Sequence, residues 1–174
     1  MEITSDIILR GHDWRRALEV FAPFFPQYLQ PNYSIYVMSL SVGIMYDKQA
    51  DMAGTESEEE KESRPSVPRT ILHQHNSDLD FLFQSAILTS SKVNFSETER
   101  LKLAFDTTSD IKLNRLDFLT KFANFGVTKL LEHAEGEPVE IMENLKKFIA
   151  STIEGYNYEI NGISDDDLDV DDIE

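Results

Sequence analysis

An all-α fold, a compact bundle of six or seven helices, is predicted by three features of the sequence. Apolar residues recur at three- and four-residue spacing through most of the chain. A Ser-x-x-Glu box and Gly or Pro boundaries punctuate those runs, as helix starts and stops do. The one alternating segment, 156–160, has no second strand to pair with.

The elements follow in order. Trp14, Ala17, Leu18 and Phe21 share one face of a helix starting at His12 or Asp13, with Arg15, Arg16 and Glu19 toward water. Pro23 and Pro26 end it, and Pro31 closes the connection. Asn32 is a suitable N-cap for 33–46, a run apolar enough for a buried strand, whose length and small spacers favour a central helix packed on more than one side. Its small spacers are Ser39, Ser41 and Gly43. Helical pattern resumes at Asn76 or Ser77, where Leu79, Leu82, Phe83, Ala86 and Ile87 form a face, with Phe81 and Leu88 beside it. Ser96-Glu97-Thr98-Glu99 opens a short helix through Leu101, Leu103, Ala104 and Phe105. Asp110 or Asn114 begins the next, with Leu113, Leu116, Leu119, Phe122 and Ala123 inward. Gly126 is expected to mark a turn at 124–126 or a kink. Gly136-Glu137-Pro138 stops and restarts the chain, and the last helix spans 139–153. Its inward residues are Ile141, Met142, Leu145, Phe148, Ile149 and Thr152.

Charge is distributed unevenly over these elements. The 174 residues carry a net charge of -16, yet from Glu154 onward nine acidic residues meet no basic one. The stretch 47–69 holds seven acids against four bases, and the remainder has 16 against 12. The expected organisation is therefore one helical domain over 1–155, with a mobile acidic insertion at 47–69, and a disordered acidic tail over 156–174.

Several function classes are disfavoured. Zero Cys removes disulfides, thiolate metal sites and Cys nucleophiles, and agrees with a reducing cytoplasm. The first six residues have no basic region of a secretory signal, and no apolar run reaches the ~18 residues of a membrane span. Direct binding to nucleic acid depends on displacing counterions with Lys and Arg, which this balance opposes. There is no Gly-x-Ser-x-Gly elbow and no Gly-rich phosphate loop, so no catalytic residue and no cofactor are expected.

Four groups of residues are candidates for chemistry. His73 and His75, with Asp78 and Asp80 beyond, have metal-ligand types and would serve a metal-dependent enzyme; a helix entry capped by Asn76 or Ser77 is the favoured reading. The pairs Asp78/Asp80 and Glu97/Glu99 read as first-turn acids that complement helix dipoles. Arg10, Arg15 and Arg16 surround Trp14, a pattern that could stack a base but is expected to be an amphipathic helix with Trp inside. The fourth group is the tail Asp165, Asp166, Asp167, Leu168, Asp169, Val170, Asp171, Asp172 and Ile173. Its acids can steer it to a basic groove while the aliphatics anchor it, so a protein partner with such a groove is expected, nucleic-acid-handling proteins being natural owners. A DNA-mimic inhibitor is the alternative; it needs acids spread over a folded surface, and the body has few in excess.

Two stretches carry a family likeness. Ser41-Val42-Gly43-Ile44-Met45-Tyr46-Asp47-Lys48 and Phe118-Leu119-Thr120-Lys121-Phe122-Ala123-Asn124-Phe125-Gly126, in this order in a short acidic chain, resemble small accessory proteins of bacterial DNA phosphorothioation (Dnd-type) systems. The resemblance implies a partner in a DNA-modification or defence assembly and carries over no active site.

Overall fold

The computed structural model describes residues 1–52, 64–106, 110–154 and 160. Among these residues there are seven α-helices, two single 3-10 turns and one two-stranded sheet, so the helical bundle expected from periodicity is present. The order is β1 (Ile7–Ile8), α1 (His12–Phe21), 3-10 turns at Ala22–Phe24 and Gln27–Leu29, α2 (Pro31–Met45) and β2 (Ser66–Val67). Then come α3 (Arg69–Gln74), α4 (Asn76–Thr89), α5 (Glu97–Phe105), α6 (Arg115–Leu131) and α7 (Pro138–Ile153). The chain forms two compact units, Met1–Leu131 and Glu132–Glu174.

The first unit is built on the contact of α2 with α6. A Cβ added at Gly126 would run into the Ser39 carbonyl and lie 2.9 Å from the Gly43 nitrogen. One added at Gly43 would overlap the Phe122 carbonyl, 2.6 Å from its carbon. Each helix therefore offers a glycine to the other's backbone, a closer approach than side-chain ridges allow. This corrects the turn or kink expected near Gly126. α6 runs unbroken from Arg115 to Leu131, because Gly126 serves close packing and no reversal of the chain. The stretches 41–48 and 118–126 meet at this crossing. Around it Trp14, Phe21, Ile35, Tyr36, Leu40, Leu119 and Phe122 are fully buried. Trp14 stacks on Tyr36 at 6.2 Å, and Phe83, Phe118 and Phe122 form an edge-to-face chain with spacings of 5.8 and 5.2 Å.

Both ends of the acidic insertion are anchored, which narrows the stretch 47–69 expected to move. Ala50 donates its N–H to the Lys121 carbonyl (2.9 Å), and Val67 is fully buried. Ser66 and Val67 pair antiparallel with Ile8 and Ile7, a strand pair that the sequence reading lacked. Two residues per strand are too few for alternation to register. The acidic run inside the insertion, 53–63, lies outside the described residues, as do 156–159 of the segment read as alternating and 161–174 of the tail.

Helix ends differ in places from expectation. The α2 cap position belongs to Gln30, in left-handed conformation at φ 51°, while the Asn32 amide donates to the Ser66 carbonyl at 2.8 Å. Helical structure resumes earlier than expected, at Arg69, and α4 begins without a side-chain cap from Asn76 or Ser77. The α5 box forms as expected: the Ser96 hydroxyl and N–H donate to Glu99 at 2.7 and 2.8 Å. Those bonds hold the Glu99 carboxyl below the usual range. Asn114 caps α6, accepting the Asp117 N–H at 3.1 Å.

In the second unit, α7 begins with Pro138 in its first turn and a box between Glu137 and Glu140. Ile141, Leu145 and Phe148 are buried, and His133 stacks on Phe148 at 4.3 Å. Ile149, expected inward, is 38% exposed, since it falls beside the 141/145/148 stripe.

Candidate functional site

A cleft of about 890 Å³ opens in the first unit between the β1 strand and the first half of α6. That size is typical of ligand clefts. One wall is the segment 5–8 with Arg10; the other is a polar stripe formed by the cap residue Asn114 and by Asp117, Lys121 and Asn124 of α6. Spacings of three and four residues put this stripe on one side of α6, while Phe118, Leu119, Phe122 and Gly126 enter the core from the other.

Much of the lining is already engaged. Asn124 is buried and satisfied twice: its Oδ1 accepts the Trp14 indole N–H at 2.9 Å, and its Nδ2 donates to the Ala50 carbonyl at 3.1 Å. Thr120 donates to the Leu116 carbonyl (2.7 Å) and meets the Tyr36 hydroxyl at 3.2 Å. Burial pushes that phenol well above its usual range, so Tyr36 is a neutral hydrogen-bonding group. Asp51 pairs with Lys121 at 3.3 Å, and Asp6 accepts the Arg69 N–H at 2.7 Å, capping α3. Arg10 and Asp117 are exposed, and no described residue holds their charged ends. The site offers charges of both signs and hydrogen bonds, which is the equipment of a binding cleft.

A second surface lies on α4 and α5, which pack together. Phe81 and Phe105 are 67% and 64% exposed, with Leu101 at 47% and Leu88 at 37%. The hydroxyls of Ser85 and Thr89 donate back to the Phe81 and Ser85 carbonyls at 2.9 and 2.8 Å. This turns the polar ends inward and leaves the 81/85/88 face more apolar than its sequence suggests.

The expected sites fall as follows. His73 and His75 do not converge: His73 is exposed, whereas His75 stacks on Tyr33 at 4.3 Å and meets Asp78 at 3.2 Å. Burial first, and then Asp78, push the Tyr33 phenol up to about 12. Asp80 turns elsewhere, to the Met1 amine at 2.6 Å and Arg115 at 3.5 Å. Among the described residues no three His, Asp or Glu side chains gather to hold a metal ion. Trp14 is fully buried with Arg10 and Arg16 exposed, so it is a core residue and no stacking platform. Asp165, Asp166, Asp167, Leu168, Asp169, Val170, Asp171, Asp172 and Ile173 lie outside the described residues. The cleft was not anticipated, because its walls are distant in sequence; the one available signal was the polar 114/117/121/124 stripe on an otherwise apolar helix.

No helix among the described residues is long and apolar enough to cross a membrane. Compared with protein-family models, with curated proteins and with solved structures, the chain matches none.

Proposed function

We propose that the chain is a non-enzymatic accessory protein that binds a protein partner through its acidic-aliphatic end, in a bacterial DNA-modification or defence assembly. One observation carries this reading: from Glu154 onward there are nine acidic residues and no base, with Leu168, Val170 and Ile173 set among them. Long-range attraction brings such a segment to a basic groove, and short-range burial of the aliphatics holds it there. Grooves of that charge belong to proteins that handle nucleic acid. The family likeness of 41–48 and 118–126 supports the assembly named, and the absence of Cys fits a reducing cytoplasm. The exposed aromatics of α4 and α5 support a protein-binding role, since apolar surface of this kind marks interaction sites.

The test is a nuclease-treated pull-down with the full chain and a version ending at Ile163, followed by titration of the purified partner. Retention by the full chain alone, with affinity falling as salt rises, is the expected result. Equal affinity of both versions refutes it.

A further inference from the structure

We infer that the open edge of β1 receives an extended peptide segment of a protein partner as an added strand, with Arg10 and Asp117 meeting an acidic and a basic side chain of that peptide. This goes beyond the tail reading and is independent of it, because here the chain is the receptor.

Ile7 lies opposite Val67 and Ile8 opposite Ser66, and Leu9 donates its N–H to the Pro65 carbonyl at 2.9 Å. In an antiparallel pair the hydrogen-bonding positions alternate. Since Leu9 bonds toward the β2 side, Ile7 does so too, and the N–H and C=O of Ile8 face the opposite way. No described residue pairs with them, although Ile8 itself lines the cleft. An unpaired edge is a template for another strand.

Side chains agree with this. Ile7 and Leu9 are buried at 5% and 1%, which locks the strand in place, while Ile8 is 38% exposed. The edge is therefore rigid and reachable at once. The chemistry of the occupant follows from the backbone groups on offer. A helix has spent its own N–H and C=O groups internally and cannot pair with Ile8, whereas an extended segment has both to give. The facing wall of α6 is polar, so it selects for a peptide with charged side chains. Lys121 and Asp6 are already engaged, which leaves Arg10 and Asp117 as the two charges for a ligand to meet.

The test pans the full chain against a phage-displayed library of random short peptides and synthesises the strongest binder. Its binding is expected to slow hydrogen exchange at the Ile8 amide. It should weaken tenfold or more in Ile8→Pro, which lacks that amide, and in Arg10→Glu. Arg10 is an exposed side chain, so the second variant and the exchange measurement decide the matter even where Ile8→Pro disturbs the strand. Three results overturn the proposal: no peptide is enriched, the enriched peptide binds both variants unchanged, or Ile8→Pro abolishes a concentration-dependent dimer, which makes a second copy the occupant. None of these touches the tail reading, whose test varies only the segment beyond Ile163.

Discussion

Replacing Gly126 with Ala adds one methyl group to the tightest contact in the fold. On an exposed helix such a change stabilises by about 1 kcal/mol through helix propensity. Here the methyl would meet the backbone carbonyl of Ser39, and backbone cannot rotate aside as a flexible side chain would. Relief requires α2 and α6 to separate, which loosens Tyr36, Leu40 and Phe122 together. Overpacking costs about 1–3 kcal/mol and occasionally more, and a rigid obstacle belongs at the upper end. Subtracting the propensity gain leaves a net loss of about 2 kcal/mol. With a urea slope of about 1–3 kcal/mol per molar, the midpoint should fall by roughly 1 M. Trp14, the single tryptophan and fully buried beside Asn124 of α6, is the natural fluorescence probe. Gly43→Ala should act likewise, and the double variant should lose less than the sum, because the helices need part only once. A midpoint equal to or above that of the parent would refute the close approach of these backbones.

Two further outcomes follow from buried or hydrogen-bonded polar groups. Asn124→Leu leaves the Trp14 indole N–H and the Ala50 carbonyl without partners, a loss of about 2–4 kcal/mol in urea unfolding; a smaller loss when Trp14→Phe is added would show that the indole donor is the cause. Burial would raise the Asp47 carboxyl, but the hydroxyls of Ser90 and Ser91, the Ser91 N–H and Lys92 outweigh it and leave it lowered. A depressed carboxyl stabilises above its unfolded value and loses that contribution as pH falls through the folded one. The stability difference between the parent and Asp47→Asn should therefore be present at neutral pH and vanish as pH drops below about 4, the ordinary carboxylate range; a difference unchanged down to about pH 3 would contradict this.

All the helices but the short α3 were legible in the sequence, because burial of one helical face writes itself into residue order at a period of about 3.6. The faces around Phe83, Phe122 and Leu145, the Ser96 box and the buried Trp14 all follow from that local rule. So does the separation of charge, which is a property of composition. The pairing of Ile7 and Ile8 with Val67 and Ser66 was not legible, since two-residue strands leave no periodic trace and the partners stand about sixty residues apart. Gly126 illustrates the same limit. A glycine in an apolar run reads alike whether it turns the chain or admits a neighbouring backbone, and only the position of Ser39 decides between them. The cleft is tertiary throughout: its polar stripe sits on a helix that sequence identifies, but the wall that makes it a cleft arrives from the other end of the unit. Local order determined the elements and where the charge lies; the juxtaposition of distant segments, set by how their buried faces fit, decided where a ligand can enter.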